Sequence, residues 1–81
     1  MNNMSKLKEN DYILYLDKYI FFIVSISDKS TFAIKYVAKI HDNHITLHND
    51  IIHYYQEQNM FNFKKLSTDI KNQYLKLVTF Q

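Results

Sequence analysis

The 81-residue chain has room for a single domain, and its formal net charge of only +2 excludes a strongly basic or acidic protein. It contains no Cys, Gly, Pro or Arg, which excludes disulfides, glycine-lined phosphate loops and bidentate guanidinium contacts. Seven Tyr and six Phe supply bulky rings that can close a small core. We expect one domain over residues 1–81, with a flexible polar start over residues 1–9.

Residues 12–26 carry the strongest β-strand signal, because they are rich in β-branched and aromatic side chains. Asp17-Lys18 predicts a two-residue hairpin turn. That turn would pair Leu16 with Tyr19, Leu14 with Phe21 and Tyr12 with Ile23. Both faces of this hairpin are apolar, whereas an exposed hairpin alternates apolar with polar residues. The hairpin is therefore either covered on both sides, in a small barrel or under a helix, or one side meets a partner.

The next segment, Thr31–Ile40, alternates with a period of two and predicts a strand. Its apolar face would carry Phe32, Ile34, Tyr36, Ala38 and Ile40. A helix beginning near Ser30 is the alternative, because some of these residues also match helical spacing. Residues 41–44 predict a turn, and residues 45–47 predict a short strand.

The last third of the chain predicts a C-terminal helix after less regular elements. Residues 50–58 fit either a short helix or a strand, and residues 59–63 alternate as an edge strand would. Ser67 or Thr68 can cap a helix over about residues 68–79, whose apolar stripe would pack on the sheet. That stripe comprises Ile70, Tyr74, Leu77 and Val78. The expected fold class is α+β, mainly β, with four or five antiparallel strands in a small barrel or an open meander.

Four histidines lie within thirteen residues: His41, His44, His48 and His53. Such spacing can converge on a metal ion, but no HExxH or Cys/His pattern accompanies it. We therefore expect exposed or capping histidines and no cofactor. The serines and threonines carry no catalytic pattern, and so short a chain has little depth for a substrate cleft. We expect no enzyme.

The excess of Tyr, Phe, Ile and Met is typical of the centre of protein interfaces. We expect a non-catalytic protein-binding module whose partner is a host protein, a protein complex or a second copy of the chain. The candidate contact residues are Tyr15, Ile20, Phe22, Tyr36, Tyr54, Tyr55 and Phe61. The alternative is a nucleic-acid-binding accessory protein that uses tyrosines and lysines on a β surface. Its candidate residues are Lys35 and Lys39, which would share one face of the strand, together with Lys64 and Lys65 before the helix.

Residues 7–13 (LKENDYI) and 18–26 (KYIFFIVSI) resemble the opening of small SH3-like barrels, and residues 63–67 (FKKLS) are similar to the strand that closes them. The composition, dominated by residues with AT-rich codons, resembles that of small phage-encoded inhibitors of host defences such as anti-CRISPR proteins. That resemblance implies a phage or mobile-element protein that blocks a host factor, such as a CRISPR effector. The lack of a secretory signal or a long apolar span predicts a cytoplasmic protein with no membrane partner.

Overall fold

The computed structural model describes residues 7–28, 30–42 and 44–79. Within these ranges the fold is mainly β, with six antiparallel strands in an open sheet and a C-terminal helix. The elements are β1 (Tyr12–Tyr15), β2 (Tyr19–Ser27), β3 (Thr31–Ile40), β4 (Ile45–Leu47), β5 (Ile52–Gln56), β6 (Phe63–Lys65) and α1 (Thr68–Thr79). Of the segment expected to be flexible, residues 1–6 lie outside the described ranges, and Leu7 is buried in the core.

The strands follow the order β4-β3-β2-β1-β6, and β5 pairs with β3. Strand β4 pairs with residues 38–40 and β5 with residues 31–35, so the two short strands share one edge of β3. Because β4 and β5 are separate strands along the same edge, the sheet has six strands rather than the expected four or five. Residues 52–56 adopt the strand alternative, and a 3-10 turn, Glu57–Asn59, follows them.

The edge strand predicted over residues 59–63 is wrong, because the final strand begins only at Phe63. Met60 is fully buried, and its N–H bonds to the carbonyl of Glu57 at 3.0 Å. The N–H of Phe63 in turn bonds to the carbonyl of Met60 at 3.0 Å. These local bonds form a turn that points the Met60 side chain into the core, which an extended edge strand would not do.

The β1–β2 hairpin has a register one residue away from the predicted one. Leu14 lies opposite Ile20, and Ile13 lies opposite Phe21. The turn contains three residues, because Tyr15 pairs with Tyr19, and two of them, Leu16 and Asp17, take left-handed backbone with φ of 53° and 60°. A two-residue turn would have shifted every side chain of the strand to the other face.

Both faces of this hairpin are covered, which accounts for its two apolar surfaces. One face contributes to a first core, made of Leu7, Ile13, Ile23, Phe32, Ile34, Met60 and Phe63. The other face contributes to a second core, made of Leu14, Ile20, Ala38, Leu66 and Tyr74. Because Tyr74 belongs to α1, the helix covers the second core, while Leu7 and Met60, from the segments before β1 and β6, pack in the first.

A β-bulge in β3 lets one strand serve both cores. Phe21 lies opposite Tyr36 while Ile20 lies opposite Ala38, so Val37 is the extra residue. The bulge moves Ala38 to the face opposite that of Tyr36. The prediction of one apolar face running from Phe32 to Ile40 is therefore wrong beyond Tyr36.

Helix α1 packs on the sheet mainly through its first and middle turns. The Ser67 Oγ accepts the N–H of Ile70 at 3.4 Å, as expected of a helix cap. Tyr74 is buried, whereas Leu77 and Val78 remain 38% and 44% exposed. Among the described residues no helix has both the length and the apolar character that a membrane crossing requires.

Candidate functional site

The seven residues expected to contact a partner do not form one surface. Ile20 is fully buried in the second core and offers no surface in this fold. Tyr15, Tyr36 and Tyr55 belong to a network of rings on the side of the first core. The other three lie elsewhere: Phe22 against Tyr12, Tyr54 on β5, and Phe61 in the turn before β6.

The most exposed part of the sheet is β5, all five residues of which are exposed. Tyr54 is 71% exposed, although it lies directly opposite the buried Ala33 of β3. Ile52 is 39% exposed and is preceded by Ile51, which is 70% exposed. Large apolar side chains are therefore concentrated on a strand that adds little to either core.

The main chain of β5 leaves hydrogen-bonding groups open on the side away from β3. The N–H of Glu57 bonds to the carbonyl of Ser30 at 2.6 Å, continuing the ladder between the two strands. In an antiparallel ladder, hydrogen-bonded pairs alternate with non-hydrogen-bonded pairs. The alternate main-chain groups of β5, those of Ile52, Tyr54 and Gln56, therefore point to the open edge. In the described ranges no strand pairs with this edge.

A row of side chains extends the open edge across the sheet. Phe22 of β2 lies opposite Lys35 of β3, and Lys35 lies opposite Ile52 of β5. We call Phe22, Lys35, Ile52, Tyr54 and the open edge of β5 the β5 surface. Lys35 forms no ion pair with a carboxylate of the described residues, so its charge is available to a ligand.

A second cluster, the tyrosine patch, consists of Tyr15, Tyr19, Tyr36 and His48. The ring centroids of Tyr19 lie 6.4 Å from Tyr15 and 5.9 Å from Tyr36. His48 stacks on Tyr36 at 4.7 Å. Sequence reasoning missed Tyr19 and His48, because only strand pairing and the path after β4 bring them beside Tyr36.

The hydroxyl of Tyr36 stays protonated at neutral pH. Burial raises the pKa of Tyr36, and the neighbouring Tyr19 and the carboxylate of Asp50 raise it further. The patch thus offers neutral hydroxyls beside apolar rings, a combination suited to an interface.

The four lysines of the nucleic-acid alternative do not form one basic surface. Lys64 pairs with Asp17 at 2.8 Å, and Lys65 lies 3.8 Å from Asp11. Lys39 lies over the ring of Tyr19 at 5.6 Å. Lys35 instead lines a groove beside α1 on the other face. The bulge at Val37 causes this separation, so the expectation that Lys35 and Lys39 share a face is wrong.

The four histidines are dispersed as well. His41 and His44 stack on each other at 4.7 Å, at the turn between β3 and β4. His48 stacks on Tyr36, and His53 lies on β5. Over the ranges that the structure describes, no three His, Cys, Asp or Glu side chains are grouped to hold a metal ion.

The geometry therefore contains two candidate contact areas, the β5 surface and the tyrosine patch. Comparisons with protein-family models, with curated proteins and with solved structures found no match for this chain.

Proposed function

We propose that the protein is a non-catalytic protein-binding module that accepts an extended segment of its partner as an additional strand beside β5. One observation carries the proposal: β5 is exposed along its whole length and presents an unpaired edge. Partner strands bind such edges through main-chain hydrogen bonds, and side chains on the two faces supply specificity.

The contrast between the edge strands β5 and β6 supports this choice. Proteins protect edge strands from unwanted pairing with charged residues, especially Lys, or with Pro. Strand β6 follows that pattern, because it carries Lys64 and Lys65. Strand β5 contains no Lys, Asp, Glu or Pro and leaves Tyr54 largely exposed. Its composition therefore favours pairing at β5.

The side chains of the β5 surface indicate the chemistry of the partner segment. Tyr54 and Ile52 lie on the same face of β5, so they call for apolar side chains at alternate positions of the partner strand. Lys35 lies directly opposite Ile52 and calls for an acidic side chain nearby. Tyr is also among the residues most enriched at energetically important interface positions.

Two finer expectations belong to this proposal. The first is an SH3-like barrel, supported by the pairing of β6 with β1, which is where a closing strand of such a barrel would lie. The second is the role of a phage-encoded, cytoplasmic inhibitor of a host defence factor such as a CRISPR effector. This role rests on composition. An inhibitor that blocks a surface of its target by binding to it needs a contact surface rather than catalytic residues.

The test is selection of binders from a library of random peptides of about ten residues, followed by amide hydrogen exchange of the full-length protein with a selected peptide. We expect protection to increase at the amides of Ile52, Tyr54 and Gln56. The amides of His53 and Tyr55 are internal controls, because they already bond to β3.

Tyr54→Lys places a charge on the exposed strand and should abolish binding. Leu16→Lys is the matched control, because Leu16 is also exposed (59%) but lies in the β1–β2 turn. Equal binding by the Tyr54→Lys variant would contradict the proposal, as would protection confined to other strands. Oligonucleotide binding that weakens steeply with salt and depends on Lys35 would favour the nucleic-acid alternative instead.

A further inference from the structure

A polar hollow of about 620 Å³ lies between the β1–β2 turn and the end of β3. Its lining comprises Asp17, Lys18, Lys39, Ile40, His41, Asp42 and His44. The N–H of Ile40 bonds to the carbonyl of Lys18 at 2.7 Å and joins the two walls. The N–H of His41 bonds to the carbonyl of His44 at 2.7 Å and closes the turn.

Two of the lining residues are lysines without an acidic partner among the described residues. Lys18 and Lys39 both hold their Nζ atoms over the ring of Tyr19, at 5.8 Å and 5.6 Å from its centroid. Neither lysine forms an ion pair with a carboxylate of the described residues. Of the two carboxylates, Asp17 is bound to Lys64 on β6 at 2.8 Å. Asp42 is the remaining acidic group on the lining.

The two histidines of the lining supply hydrogen-bond donors. His41 and His44 stack with ring centroids 4.7 Å apart and planes inclined by 14°. An imidazole ring carries at least one N–H donor, so the pair can donate hydrogen bonds to an anion in the hollow.

We propose that this hollow binds a single phosphate group of a small phosphate monoester. A phosphate carries close to two negative charges near neutral pH, which matches the two free lysines, and its oxygens can accept hydrogen bonds from the ring N–H groups of His41 and His44. A nucleic-acid strand is disfavoured, because its repeated phosphates require a continuous basic track. Lys35, Lys64 and Lys65 do not extend the hollow into such a track, since Lys64 and Lys65 are ion-paired and Lys35 lies on the other face.

The experiment is an NMR titration of the full-length protein with inorganic phosphate at constant ionic strength and about pH 7.5, where phosphate carries close to two negative charges. We expect saturable shifts of the amides of Ile40, His41 and His44. Parallel titrations with AMP and glycerol 3-phosphate separate the sources of the phosphate group. Equal affinities assign recognition to phosphate alone, and tighter binding of AMP adds a base contact near Tyr19; both support the site.

Charge variants decide between a specific site and general attraction. Lys39→Gln should weaken phosphate binding about fivefold, the effect of one solvent-exposed charge contact. Lys35→Gln, which removes the same charge outside the hollow, should leave it unchanged. Asp42→Asn should strengthen binding about fivefold by removing the opposing carboxylate, a gain that partial unfolding could not produce.

Three results would overturn the proposal. The first is the absence of saturable shifts with phosphate up to about 50 mM. The second is equal weakening by Lys39→Gln and Lys35→Gln. The third is weaker binding by the Asp42→Asn variant. Because no residue that lines the hollow belongs to the β5 surface, phosphate binding and strand addition can fail independently.

Discussion

The enclosure of Ile20 in the second core can be tested by making the same chemical change at a buried and at an exposed strand position. Ile20→Val and Ile52→Val each remove one methyl group from a strand residue. Ile20 is fully buried, whereas Ile52 is 39% exposed. Both variants lose the same methyl group. The difference between their losses of unfolding free energy therefore measures how much more completely Ile20 is enclosed than Ile52.

The expected magnitude follows from the second core. Ile20 packs there with Leu14, Ala38, Leu66 and Tyr74, so the lost methyl group leaves a space that its neighbours fill only in part. Such a change lowers the free energy of unfolding by about 1 kcal/mol, which lowers Tm by about 4–8 °C in a domain of this size. Ile52→Val should cost less than about 0.5 kcal/mol.

The assay is urea denaturation followed by far-UV circular dichroism, with both variants expected to keep the m-value of the parent protein. Equal losses for the two variants would refute the reasoning, because Ile20 would then be no better enclosed than Ile52. The result also bears on the candidate contact residues. If Ile20 is a core residue, Ile20→Val should leave peptide binding unchanged under conditions where the variant is folded.

Three further predictions concern a titrating side chain, a strained position and a helix cap. Burial raises the pKa of Tyr74, and the adjacent Tyr12 raises it further, so the folded state keeps this proton to higher pH than the unfolded state. Its contribution to stability is complete below about pH 10 and is lost as the pH rises through the raised pKa. In urea denaturation at alkaline pH, Tyr74→Phe should therefore lose less free energy of unfolding per pH unit than the parent protein. An equal loss per pH unit would contradict this. Asn10 has φ of 71°, so Asn10→Ala should lower stability by about 1 kcal/mol while Asn10→Gly should not; equal melting temperatures of the two variants would count against strain there. Ser67→Ala should lower stability by about 0.5–1 kcal/mol by removing the cap on the N–H of Ile70, and Ser67→Asp should restore it; thermal melts of the three proteins check both statements.

Much of the secondary structure could be predicted, because it depends on local patterns. The β-branched and aromatic run of residues 12–26 predicted the first hairpin, and alternation predicted the strand Thr31–Ile40. A Ser-Thr pair followed by Asp69 predicted a helix beginning at Thr68, where α1 begins. In each case residues close in sequence determine the preference, so the pattern can be recognised without knowledge of the fold.

The candidate surfaces were predictable only in part. Tyr54 was expected to be a contact residue and is 71% exposed, but Ile20, from the same set, is fully buried. A one-residue change of register exchanges the two faces of a strand, and the three-residue turn between Tyr15 and Tyr19 gives the register one residue away from the predicted one. Composition shows that a chain is rich in rings, but it does not indicate which rings remain exposed.

The amino-acid sequence by itself determined that this chain is a small, mainly β domain with a C-terminal helix and without the glycine, cysteine and arginine residues that many ligand sites need. Tertiary structure alone decided that Val37 forms a bulge, that β5 keeps an open edge, and that Lys18 and Lys39 meet over Tyr19. The reason is physical. Each of these features depends on pairing between strands that are distant in the sequence, and local backbone preferences do not determine that pairing.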